Sequence, residues 1–266
     1  MAARTTRKVL MLHGYTQSAT IFSKRIGAVR KACSKDVDFV FVEAPHILSP
    51  VDLTASFSST NTTLSDLGAA EAADETDPAL APRAWWKADA ARTQTIGLEE
   101  SLIFLRDILK ETHFDGVFGF SQGASMAAIL AALLERPEVF PAFLVDGKSP
   151  HPPFQFCISV AGFRPRSPLC DTIFLPSYST PTLHVLGRND IIVVEERSKT
   201  LLEVSSNKRV EWHDGGHFVP SKANWRNFFR SYLRDPLGAV PSPGPAAVSA
   251  PQSGTATPTT AEPTDT

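Results

Sequence analysis

The stretch "GVFGFSQGASMAAIL" (116–130) constrains this chain more than any other. It passes from an apolar packet through Gly119-Phe120-Ser121-Gln122-Gly123 into small residues and helix formers. A serine between glycines at a strand-to-helix junction fits an abrupt turn. The residues two before and two after must then be small, so that the chain can pass itself. Such a turn lifts the hydroxyl above a sheet and sets a helix N-terminus beneath any oxyanion that develops there. The competing reading is a tight turn that carries an idle serine.

The rest of the chain supplies the sheet that such a turn needs. Apolar packets at 7–14, 37–45, 116–120, 154–162, 181–187 and 208–214 read as strands. Between them, 19–33, 93–112, 122–135, a stretch near 193–204 and one near 220–233 read as helices. In 93–112, Ile96, Leu98, Leu102, Leu105, Ile108 and Leu109 recur near the helical period. Strands alternating with helices imply an α/β fold, a mostly parallel sheet covered on both faces. Its ligands bind where the strands' carboxyl ends emerge. With 266 residues and 42% hydrophobic content, one catalytic domain over 1–234 is expected.

Two stretches break the rhythm. Residues 46–92 are long, Ser/Thr/Ala/Asp-rich and aperiodic until "RAWWKAD", as a lid-like insertion would be. Residues 235–266 contain no aromatic, Lys or Arg and are full of Pro, Ser and Thr, which predicts a disordered tail.

Charge and cysteine usage exclude several classes of function. A net charge of -2 argues against nucleic acid or an anionic membrane as partner. Cys33, Cys157 and Cys170 are odd in number and lack C-x-x-C spacing, which suits a reducing compartment and opposes a disulfide framework or a zinc site. No apolar run approaches the roughly 18 residues of a membrane span. The N-terminal "VLML" is too short for the core of a signal peptide and leads straight into His13-Gly14. It reads as the first strand of a cytoplasmic protein.

A serine hydroxyl needs a base. Among seven histidines, His46 and His151 lie beside prolines, His113 ends a helix, and His184 and His213 fall within predicted strands. His217, in "HDGGHFVP", follows a strand on a glycine turn at the carboxyl edge and is the expected base. An acid must hold that imidazole in the right tautomer. Asp190, in "HVLGRNDIIV", follows strand 181–187 by a three-residue turn and is favoured. Asp171 competes from an irregular segment, 163–180, Asp214 lies too near His217, and Glu195 and Glu196 look like first-turn helix acids. Negative charge needs backbone N–H donors, expected at Gln122 and, in "LMLHGYTQSA", at Tyr15. His13 is expected to brace that loop.

"HGYTQSA", "EAPH", "RAWW", "GFSQG", "GRNDIIV" and "GGHFVP" together resemble the FSH family of serine hydrolases. The resemblance runs from about residue 7 to 233, is weaker over 46–84 and 163–177, and leaves out the tail. It implies an α/β-hydrolase fold, with the family's triad falling on Ser121, Asp190 and His217. It also implies an acyl hydrolase without metal or organic cofactor. Known members are esterases favouring medium to long acyl chains, and several fungal relatives are thioesterases that release or edit polyketides. The expected partner is therefore a small-molecule acyl ester or acyl thioester, in the second case carried on a protein.

Trp85, Trp86 and Phe163 lie near the presumed mouth. The tryptophans fit two readings equally, walls of an acyl groove or anchors for the lid. Arg83, Lys87 and Arg92 flank them and give slight support to a carrier-bound thioester. Two readings stand beside hydrolysis: an idle α/β-hydrolase domain that only binds, and a polyketide acyltransferase or cyclase using the same serine.

Overall fold

A computed structural model describes residues 6–49, 52, 78–88 and 94–244. Alternate residues of a strand face opposite ways. In β1 (Arg7–Leu12), Leu10 and Leu12 enter one core, while Val9 and Met11 enter the other. Both faces are therefore covered, and the sheet is built accordingly. β2 (Val37–Val42), β7 (Gly116–Phe120), β8 (Phe156–Val160), β9 (Thr182–Gly187) and β10 (Lys208–His213) complete a six-stranded sheet in the order β10-β9-β8-β7-β1-β2. Every pairing in it is parallel. From β1 the chain moves to β2 on one side and later to β7 on the other, so the order reverses between β1 and β7. A crevice opens beyond the carboxyl ends at such a reversal.

Helices α3 (Leu98–Glu111), α4 (Gln122–Glu135), α5 (Pro168–Phe174) and α6 (Glu195–Val204) cover one face. α1 (Ala19–Arg25), α2 (Gly27–Cys33) and α7 (Ala223–Arg234) cover the other. Every residue of α4 from Gln122 to Leu134 is buried, as suits the all-round small and apolar helix that carries the serine turn.

The architecture matches the α/β expectation, with local differences. The helix expected over 19–33 breaks at Ile26 into α1 and α2. The helix expected from residue 93 begins at Leu98, because β6 (Thr95–Ile96) pairs antiparallel with β5 (Lys87–Ala88). A similar two-residue ladder joins β3 (His46–Ile47) to β4 (Arg83–Ala84). The irregular segment expected over 163–180 contains α5, whose N-cap Ser167 accepts from the Cys170 N–H at 3.2 Å and whose first residue is Pro168.

The lid expectation for 46–92 falls largely outside the described residues, as do Arg92 and residues 245–266. Residues 235–244, grouped with the tail by composition, lie against α7 and β10. Val240 packs on their core, Asn224 donates to the Gly244 carbonyl at 2.7 Å, and Ser242 donates to Glu211 at 2.8 Å. No helix among the described residues is long and apolar enough to cross a membrane.

Candidate active site

Ser121 follows β7 directly and precedes α4 with φ 54° and ψ -117°, a left-handed φ that L-residues avoid. The neighbouring glycines make room for that turn. A Cβ on Gly119 would stand 2.1 Å from the Gly123 carbonyl oxygen, and one on Gly123 would stand 2.2 Å from that of Leu12. The turn is fastened through the Ser121 N–H, which donates to the Val160 carbonyl at 2.8 Å.

His217 reaches this hydroxyl from the end of β10, with Nε2 2.9 Å from Ser121 Oγ. Its Nδ1 lies 2.8 Å from Asp190 Oδ2. A carboxylate accepts, so Nδ1 carries the proton and Nε2 is left to accept from the serine. The acid and base loops are laced together. Arg188 N–H donates to the His213 carbonyl at 2.9 Å and Asn189 N–H to the Gly215 carbonyl at 3.0 Å. Asn189 Nδ2 also donates to the Asp214 carbonyl at 2.8 Å. A Cβ on Gly187 would lie 2.5 Å from the Gly216 oxygen, so the two turns pass in contact. The Phe120 ring packs against the imidazole, with centroids 4.9 Å apart.

Asp190 Oδ1 accepts from the N–H groups of Ile192 and Val193 at 2.9 and 2.8 Å. Burial pushes this carboxyl up. The hydrogen bond and charge of His217 and the two backbone donors outweigh that and hold it below the usual carboxylate range. The other acids sit elsewhere. Asp171, on α5, pairs with Arg164; Asp214 is solvent-exposed beside Arg188; Glu195 pairs with Lys199 at 2.9 Å. All three thiols are buried, and burial pushes Cys33 and Cys170 up to about 11 and Cys157 up to about 12. None is a thiolate at neutral pH.

The loop after β1 forms the opposite wall. A Cβ on Gly14 would lie 3.4 Å from Ser121 Cβ. Buried His13 accepts from the Ala44 N–H at Nε2, 3.0 Å, so its Nδ1–H donates to the Gly14 carbonyl at 2.8 Å. Burial lowers its pKa to about 4 and keeps it neutral. It braces the loop, as expected. Thr16 takes φ 66°, its N–H donates to the Arg83 carbonyl at 2.9 Å, and the Gly14 N–H donates to Gln17 Oε1 at 3.2 Å. Tyr15 is thus set between anchored neighbours. Among the described residues, no hydrogen bond takes up the Gln122 N–H.

The remaining predicted residues divide. Trp85 is 0% exposed and offers no surface to a ligand, which corrects its expected role as a substrate contact; it is an anchor. Trp86 and Phe163 meet edge to face with centroids 6.3 Å apart. The Phe163 N–H is tied to Ser125 Oγ, one turn beyond the serine, at 3.1 Å. Sequence reasoning missed the side chain of Gln122. Its Oε1 accepts from the Trp85 N–H and its Nε2 donates to the Trp86 carbonyl, both at 2.8 Å. The signal lay in a glutamine inside an otherwise small and apolar helix start.

Among known proteins, the chain is 33% identical over 238 residues to zebrafish esterase OVCA2, covering 85% of this chain and 96% of that one. It is 33% identical over 227 residues to a Schizosaccharomyces pombe protein named dihydrofolate reductase, 85% of this chain but 46% of that one. In fold it resembles maize acyl-protein thioesterase 2, with a TM-score of 0.54 at 16% identity, covering 89% of this chain and 96% of the other. The sequence pattern of the serine hydrolase family FSH1 matches residues 1–229. A strained serine turn hydrogen-bonded to a histidine and an aspartate, and a match across nearly the whole described fold, lead to one conclusion: the chain belongs to the FSH1 family of serine hydrolases.

Proposed function

We propose that this protein hydrolyses esters of medium or long apolar acyl chains through an acyl-enzyme on Ser121. His217 Nε2 takes the hydroxyl proton as Oγ attacks the ester carbonyl, and Asp190 steadies the resulting imidazolium. The carbonyl oxygen, now an oxyanion, is held by the Tyr15 and Gln122 N–H groups. Collapse expels the alcohol, which receives the proton from His217. Water then repeats the sequence on the acyl-enzyme and frees the acid.

The single observation that carries this reading is the run of two hydrogen bonds, 2.9 and 2.8 Å, linking side chains from three separate strand ends. Trp86 and Phe163, both largely buried and the latter covered by Arg197, are the aromatic pair nearest the serine turn that an acyl chain could meet. Two of the cations beside the tryptophans, Arg83 and Lys87, are already engaged. Arg83 donates to the Ala44 carbonyl at 3.0 Å and Lys87 to Asp52 at 2.8 Å. That favours a plain ester over a phosphate-bearing carrier thioester. Three buried thiols without a disulfide support a cytoplasmic setting.

The test is a panel of p-nitrophenyl esters and acyl thioesters of increasing chain length, with Ser121→Ala as control. The expected result is a preference for longer esters and a loss of kcat on the order of 10⁴-fold or more in the variant. Wild-type turnover by Ser121→Ala would remove the assignment; faster cleavage of thioesters would redirect the substrate.

A further inference from the structure

We propose that Trp85 is a positioning residue that fixes the separation of the two halves of the oxyanion hole. The proposal rests on the reading of Tyr15 and Gln122 as oxyanion donors. Those donors sit on different elements, the loop after β1 and the first turn of α4. Their spacing is therefore set by packing rather than by one local turn, and misplacement by about 1 Å costs catalysis on the order of 10²-fold.

Trp85 is tied to both halves. Its backbone N–H donates to Gln122 Oε1 at 2.8 Å, and its indole Nε1–H donates to the His13 carbonyl at 2.9 Å. A third tie holds it from α3, where Ser101 Oγ donates to the Trp85 carbonyl at 2.6 Å. The flanking residues repeat the pattern. Trp86 receives Gln122 Nε2, while Arg83 pairs with the backbone of Thr16 and Gln17, just beyond Tyr15. Segment 83–86 is thus a strap from one donor's loop to the other donor's side chain. Filling a core requires only bulk. A strut requires the two N–H groups, aimed at two different elements, and that difference can be measured.

Trp85→Phe keeps an aromatic ring and removes the indole bond to His13. Gln122→Met keeps the backbone N–H and the side-chain length and removes the other tie. Each variant is assayed for kcat and KM per active site titrated by a fluorophosphonate, with the affinity of an acyl trifluoromethyl ketone, which forms an oxyanion on the serine. The expected result is a fall in kcat of about ten- to a hundredfold, with KM within about twofold, and an equal loss of ketone affinity. Unchanged kcat per titrated site, or a loss of kcat with ketone affinity intact, would overturn the strut. If Trp85→Phe does not fold, Gln122→Met decides alone by the same criteria. Failure of the wild type to be labelled at Ser121 would instead overturn the underlying reading.

Discussion

Ser121 holds a positive φ that costs about 1–3 kcal/mol and persists only where the surroundings over-determine it. Here they do: its N–H is bonded to Val160, its carbonyl accepts from the Ala124 and Ser125 N–H groups, and glycines occupy both crowded positions. The same logic applies to His217, whose tautomer depends on one carboxylate oxygen. In Asp190→Asn the amide can donate to Nδ1, which then holds no proton, and Nε2 becomes a donor unable to accept from Ser121. The expected outcome is a fall in kcat of about 10⁴-fold with the fold intact, read by ester hydrolysis beside circular dichroism. Asp190 is held below the usual carboxylate range, so its ionisation survives to acidic pH. Its contribution to stability is present above its unfolded pKa and is lost only as pH falls through the lower folded value.

At the scale of elements, the site depends on how closely α4 lies on the end of β1. A Cβ on Gly123 would meet two backbone oxygens, Leu12 at 2.2 Å and His13 at 2.4 Å, and neither can swing aside. Gly123→Ala should therefore push α4 off the sheet, destabilising the fold by about 3 kcal/mol in urea titration and lowering activity with it. α5 offers a contrast, because its Ser167 cap is local. Ser167→Ala should cost about 1 kcal/mol and leave hydrolysis untouched. Elements like these differ in how openly the sequence announces them. The parallel sheet was legible because each strand is an apolar packet, and the meeting of Ser121, His217 and Asp190 because each follows such a packet within a few residues. α5 was harder to see: it spans 7 residues, too few for a helical period, and its Ser-Pro start was the only cue. The strands 83–84 and 95–96 carry no periodicity, since two residues are too few to show one. The anchoring of Trp85 needed coordinates too, because a tryptophan's burial depends on which N–H acceptors lie around it.

For the molecule as a whole, buried histidines set the response to acid. Burial lowers His13 to about 4 and His184 to about 3, the latter with help from the Lys208 charge. His151 and His213 are also lowered, chiefly by burial. An unfolded histidine binds its proton near pH 6.5. Between that value and each folded pKa the unfolded chain therefore holds more protons than the native one. Stability must then rise with pH across the window and fall as pH drops from about 6.5 toward 4, each fully excluded proton giving a slope of about 1.4 kcal/mol per pH unit. His184 allows a clean subtraction. It lies in the middle of β9, and among the described residues its Nε2 has no hydrogen-bond partner. Replacing it by leucine removes a titrating group without orphaning another. Urea midpoints of His184→Leu and the wild type at pH 7, 6 and 5 should diverge, with the variant losing less stability per pH unit by nearly one proton's worth. Parallel curves would mean that His184 is protonated in the native protein, and the exclusion argument would fail at that residue.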